Sequence, residues 1–186
     1  MYYHASPLSG LKELMPHVSN HNKPLVYLSK KRENTLVYLS NAVEKFCEEN
    51  GLPVTDKIHK WASYGFNENG ILVLEEYYPN ATEETYSGIS GYIYSVESDN
   101  NIYPQKDIPF AAVTEKPIKI KSCEYISDAY REILRASEQN LIILKKYEDN
   151  SKEKLNWIKR IITKEYNNHS QEKEYYMFLK SKFKFL

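Results

Sequence analysis

Leu25-Val26-Tyr27-Leu28-Ser29 is a compact apolar run of strand length that passes directly into a helical pattern. From Lys30 to Asn50 the apolar residues Leu36, Val37, Leu39, Val43 and Phe46 recur at helical spacing, and Gly51-Leu52-Pro53 stops the pattern. The expectation is a strand followed by one long helix. Ten residues separate Tyr27 from Tyr38, enough to leave the strand, make about two helical turns and return beside the strand's end. Ser29, two residues beyond Tyr27, points to the same side of the strand.

Outward from this junction the pattern stays mixed as far as residue 122. Met1 to Ala5 reads as a short strand carrying His4, and Val18 to Pro24 as a polar loop. Ile58–Phe66 and Ile71–Tyr78 flank Asn67-Glu68-Asn69-Gly70, a turn signal that predicts a hairpin. Gly91 to Glu97 alternates, with Tyr92, Tyr94 and Val96 on one face. Phe110–Val113 and Pro117–Lys121 are further strand candidates. From Ser127 onward the pattern reads as helix throughout, with breaks at Asp149-Asn150-Ser151 and Asn167-Asn168-His169-Ser170. The reading is an α+β domain over residues 1–122 with a helical C-terminal extension over 123–186.

Composition narrows the partners. Lys+Arg and Asp+Glu both total 25, so no net field steers the chain toward nucleic acid or an anionic membrane. Arginine is scarce (Arg32, Arg131, Arg135, Arg160), which suits bidentate phosphate recognition poorly. The tyrosines accompany abundant Lys, Asn and Ile, so taken singly each is expected in the core. Cys47 and Cys123 form no metal-binding or disulfide pattern, and Cys47 stands among Glu44, Glu48 and Glu49, which oppose thiolate formation. Neither a secretion-signal pattern nor an apolar run of the ~20 residues that span a bilayer is present, so the expectation is a cytoplasmic protein.

The junction also suggests chemistry. Tyr27 and Tyr38 can offer aromatic faces to a flat ring, with more to gain if the ring is cationic. Ser29 can hydrogen-bond an amide on that ring, and His4 offers ring nitrogens to a hydroxyl pair such as a ribose. Tyr3-His4-Ala5-Ser6, Val26-Tyr27-Leu28-Ser29 and the Tyr-x10-Tyr spacing resemble the NAD site of the diphtheria-toxin-type and poly(ADP-ribose)-polymerase-type ADP-ribosyltransferases. Tyr92-Ile93-Tyr94-Ser95-Val96-Glu97 with Lys116-Pro117-Ile118-Lys119-Ile120 is similar to the closing strands of small bacterial members such as the rifampin-modifying transferases.

The resemblance implies an ADP-ribosyltransferase-like split antiparallel sheet, with NAD as the substrate and an acceptor the sequence does not name. It implies that Tyr27 and Tyr38 flank the nicotinamide, Ser29 meets its carboxamide and His4 holds the adenosine ribose. It requires a glutamate that binds the nicotinamide ribose. Glu115 is the first choice, and Glu97 and Glu124 are the alternatives. Ala5 stands where the family has glycine, and keeps the backbone contact to the carboxamide provided it is not at positive φ. The rival expectation is a non-catalytic binding protein on the same fold. His4, His17 and His21 are a weaker metal constellation, expected to be loop histidines.

Overall fold

The computed structural model describes residues 1–18, 23–54, 59 and 63–186. In chain order the strands are β1 (Tyr2–Ser6), β2 (Glu13–Leu14), β3 (His17–Val18), β4 (Pro24–Ser29), β5 (Ser63–Phe66), β6 (Leu72–Glu75), β7 (Gly91–Val96), β8 (Tyr103–Pro104), β9 (Ala111–Thr114), β10 (Ile118–Lys119), β11 (Ser122–Ile126) and β12 (Ile142–Lys145). The helices are α1 (Ala42–Glu49), α2 (Ala81–Tyr86), α3 (Ala129–Glu138), α4 (Lys152–Asn168) and α5 (Lys173–Lys182), with 3-10 turns at Glu33–Tyr38 and Tyr147–Asp149. The expected mixture of antiparallel sheet and helices is present. The expected strand over Ile58–Phe66 is described only at its end, because Ile58 and residues 60–62 lie outside the described residues.

The larger sheet has seven strands, ordered β11-β7-β1-β4-β9-β8, with β3 also pairing β4. The pairs β1–β4, β1–β7, β7–β11, β3–β4, β4–β9 and β8–β9 are all antiparallel. β1 pairs β7 along its whole length, from Tyr2↔Val96 to Ser6↔Tyr92. β4 pairs β9 from Val26↔Thr114 to Ser29↔Ala111. Between them, β1 and β4 meet only at Tyr3↔Ser29. The sheet is therefore continuous at that pair and parts beyond it, toward Ala5 and Tyr27. β2 and β10 form a two-stranded sheet, and β12-β6-β5 a three-stranded one.

The chain divides into two compact units, neither of them a single run of sequence. The first comprises residues 1–39, 66–72 and 86–143, the second 40–65, 73–85 and 144–186. In the first unit, Tyr2, Val26, Leu28, Tyr94, Val96 and Ala112 share one face of the large sheet by strand alternation, and they form a buried cluster with Leu14 and Ile102. The expected grouping of Tyr92, Tyr94 and Val96 holds. On the other face, a side chain at Gly91 would strike Leu39 Cδ2 at 2.6 Å, so the 3-10 turn and Leu39 approach the sheet there more closely than any other residue type at Gly91 would allow. The second unit packs Val43, Phe46 and Cys47 of α1 with Tyr77 and Tyr78, Ile158 and Ile162 of α4, and Tyr175, Phe178 and Leu179 of α5.

Two sequence expectations need correction. The single helix over Lys30–Asn50 is a 3-10 turn and a separate α-helix. Asn41 interrupts them: its backbone is extended (φ −125, ψ 132) and its side chain accepts from Val43 and Glu44 N–H, which is an N-cap. The stretch past Ser127 is not helix throughout, since β12 intervenes. α3 ends in a Schellman motif, with Asn140 at φ 58, Leu141 N–H donating to Ala136 O (2.9 Å) and Asn140 N–H to Ser137 O (3.0 Å). The apolar run Leu141–Leu144 then emerges extended. The expected turn before β6 is present: Asn67 Oδ1 accepts from Asn69 and Ile71 N–H, and Gly70 takes φ 70.

Candidate functional site

The parting of β1 from β4 is where His4, Tyr27 and Ser29 lie. His4 sits on β1 next to Tyr3, whose partner is Ser29 on β4. Its ring turns toward β4, and Nδ1 lies 2.8 Å from Tyr27 O. A carbonyl only accepts, so Nδ1 carries the proton and Nε2 keeps a lone pair. The His4 ring thus supplies to the Tyr27 carbonyl a bond that a continuous ladder would have supplied from backbone. Burial holds the His4 pKa below its usual value of 6.5, His17 lowers it further and the Tyr27 carbonyl partly offsets both. The ring is neutral at pH 7.

Alternation assigns the other residues. Tyr3 and Ser29 are partners and share a face, and Tyr27, two residues from Ser29, shares it too. His4 alternates to the opposite face, where its cross-strand partner is Tyr94. The two groups therefore approach the opening from opposite sides, and the sequence pattern carried no sign of this. Ser29 is buried and its hydroxyl accepts from Lys31 N–H (3.0 Å), leaving its own proton to donate. Ala5 lies within β1 and is not among the residues at positive φ, so the backbone condition set by the sequence is met.

Tyr38 ends the 3-10 turn and is 57% exposed. The turn is held by Asn34, Thr35, Leu36 and Val37, all buried, by the Thr35 hydroxyl donating to Arg32 O (2.7 Å), and by the Tyr86 hydroxyl donating to Val37 O (3.2 Å). Asn34 is a residue that sequence reasoning missed. It is 5% exposed, and neither polar atom of its side chain has a hydrogen-bond partner among the described residues. A buried amide in that state is costly. An asparagine within an apolar helical run was the only available signal.

The three glutamates differ in position. Glu124 on β11 makes a bidentate pair with Arg32, Nε to Oε2 2.7 Å and Nη2 to Oε1 2.6 Å, which holds its carboxyl below the usual range. Arg32 also reaches Glu132 (3.2 Å). Because β7 and β1 lie between β11 and β4, Glu124 is three strand spacings from Tyr27, roughly 14 Å. Glu97 follows β7, is exposed and pairs with Lys121 Nζ at 2.6 Å. Glu115 is exposed one residue past β9, the neighbour of β4, and stands two residues beyond Val113, the partner of Tyr27. That is about 7 Å along the strand.

The remaining candidates separate. His17 lies exposed on β3, paired with Leu25, so helical ligand spacing to His21 does not apply; His21 is outside the described residues. Cys47 is buried, and burial followed by Glu174, Glu44 and Glu48 pushes its thiol pKa up; of the neighbours expected to oppose thiolate formation, Glu44 and Glu48 contribute. Among the described residues, the donors grouped closely enough for one metal ion are His59, His169 and Glu172, all in the second unit. No helix among the described residues is long and apolar enough to cross a membrane. Compared with protein-family models, curated proteins and solved structures, the chain matches none of them.

Proposed function

We propose that the protein binds NAD where β1 and β4 part and acts as an ADP-ribosyltransferase-like enzyme. The observation that carries this reading is the opening itself, bridged by His4 Nδ1 to Tyr27 O beyond the single pair Tyr3↔Ser29. A ligand lodged there meets His4 from one side of the sheet and Tyr27 and Ser29 from the other. His4 Nε2 accepts from a ribose hydroxyl, the Ser29 hydroxyl donates to the carboxamide oxygen, and Tyr27 and Tyr38 flank the cationic ring. Glu115 is the carboxylate for the oxocarbenium character that develops at the ribose as nicotinamide leaves, because it follows the strand next to β4. The acceptor is a proposal of class only: a nucleophile on a protein, a nucleic acid or a small molecule.

A second reading has its own support. Glu97 and Glu124 are both held by cations, and Glu115 lies in the exposed turn after β9. A relative on the same fold that binds NAD without cleaving it fits those facts. Isothermal titration with NAD and a nicotinamide-release assay separate the two. Binding with release, both abolished by Tyr27→Ala, supports the enzyme, and Glu115→Gln then costs about 10²–10³ in turnover while binding persists. Binding without release supports the second reading. No binding, or release unchanged in Tyr27→Ala, removes the site.

A further inference from the structure

Three chain segments of the second unit bring metal-binding groups to one point. His59 comes from the segment between α1 and β5, His169 caps the C-terminus of α4, and Glu172 caps the N-terminus of α5. Glu172 Oε2 lies 2.8 Å from His59 Nε2, and its Oε1 lies 2.8 Å from His169 Nδ1. One ligand atom from each residue falls within 4.8 Å of the others. We propose that these three residues bind one zinc-class divalent ion, through His59 Nε2, His169 Nδ1 and the Glu172 carboxylate.

The surroundings are those of a metal centre. The far nitrogen of His169, Nε2, faces Glu165 Oε2 at 3.4 Å. A ligating histidine commonly directs its other ring N–H to a carboxylate, which fixes the tautomer and raises the basicity of the ligating nitrogen. Glu165 and His169 stand four residues apart on α4, so that alignment is built into the helix. The His59 ring stacks on Tyr175 at 3.7 Å and 6° between planes, which fixes the orientation of the ring.

The backbone at the helix junction is equally determined. His169 N–H donates to Glu165 O (3.0 Å) and Glu172 N–H to His169 O (2.9 Å), so the spacing His169-x2-Glu172 is closed by hydrogen bonds. The His59 and Glu172 side chains are 12% and 23% exposed.

Ligand chemistry selects the ion. Two imidazoles and one carboxylate suit zinc and its neighbours in the transition series, whereas magnesium and calcium favour oxygen ligands alone. Three protein ligands leave a fourth tetrahedral position for water. With Glu165, two carboxylates balance a dication, and both histidines ligate neutral. The ion would join the α4–α5 junction to the segment bearing His59, a cross-link within the second unit.

The test uses the full chain, stripped with a chelator and titrated with Co²⁺, then competed with Zn²⁺. The expected result is about one Co²⁺ per chain with the intense visible bands of tetrahedral coordination, displaced by Zn²⁺ and not by millimolar Mg²⁺. Glu165→Gln, which leaves all three ligands in place, is expected to keep the stoichiometry while weakening affinity by about 10–100-fold. Glu172→Gln is expected to abolish the bands. Folded wild-type protein that shows no tetrahedral Co²⁺ spectrum overturns the proposal, and needs no variant to do so. Bands that persist in a folded His59→Asn/Glu172→Gln double variant also overturn it, by placing the ion elsewhere.

Discussion

Asn34→Leu tests whether the buried amide in the 3-10 turn is a standing cost held for a ligand. Both polar atoms of Asn34 are buried with no partner among the described residues. Leaving a buried polar group unsatisfied costs about 1–3 kcal/mol, and leucine has the same branched skeleton, with bulkier methyl groups but nothing to satisfy. The flanking Leu36 and Val37 already make this turn apolar on its buried side. Asn34→Leu should therefore stabilise the ligand-free protein by about 1–3 kcal/mol, which for a chain of this size is a rise of roughly 2–12 °C in melting temperature.

Urea and thermal melts followed by circular dichroism measure that change. Repeating them with NAD supplies the second half: at a hundredfold excess over Kd a bound ligand adds about 2.7 kcal/mol to the wild type. The variant should gain clearly less if the amide serves the ligand. A variant less stable than wild type by more than about 1 kcal/mol would refute the reasoning, since it would mean an ordered water already satisfies the amide.

Glu76 offers a harsher perturbation. Its buried carboxylate accepts from Thr82 N–H (2.9 Å) and Tyr147 N–H (3.2 Å), so Glu76→Ala strands one buried and one half-buried donor and should cost about 2–5 kcal/mol in urea melts, with Glu76→Gln intermediate. Burial lowers the His4 pKa, so the unfolded chain binds this proton more readily; the stabilisation is complete above about pH 6.5 and is lost as pH falls below that toward the folded-state value. A two-dimensional NMR titration should place the His4 midpoint below 6.5, and a midpoint above 6.5 would contradict its burial. Gly91→Ala puts a methyl 2.6 Å from Leu39 Cδ2 and 3.2 Å from Ser6 O, and should destabilise by about 1–3 kcal/mol; an unchanged melting temperature would show that Leu39 moves aside freely.

Strand alternation made β7 legible in the sequence, and a compact apolar run of strand length did the same for β4. Helical periodicity likewise announced α4 and α5. It failed at Ser40-Asn41, where the apolar spacing continues across a cap, and at Ile142-Ile143-Leu144, where an unbroken apolar run fits either a strand or a helix. The adjacency of the strands bearing His4 and Tyr27 was readable. Which face each side chain takes was not, since that depends on the register of two strands brought together from distant sequence. The approach of His59 to His169 and Glu172 was invisible for the same reason: only tertiary structure joins segments so far apart.

The central place of β1 has a consequence for how the chain is made. In chain order β1 comes well before its partner on one side, β7, which begins only at Gly91. Until then β1 can pair only with β4, through Tyr3 and Ser29. Contacts of such long sequence separation are slow to form, so the nascent chain carries an unprotected strand edge until β7 has been made. That edge holds Tyr2 and Ala5, both buried in the finished sheet, and it is where a chaperone or a second nascent chain would first take hold.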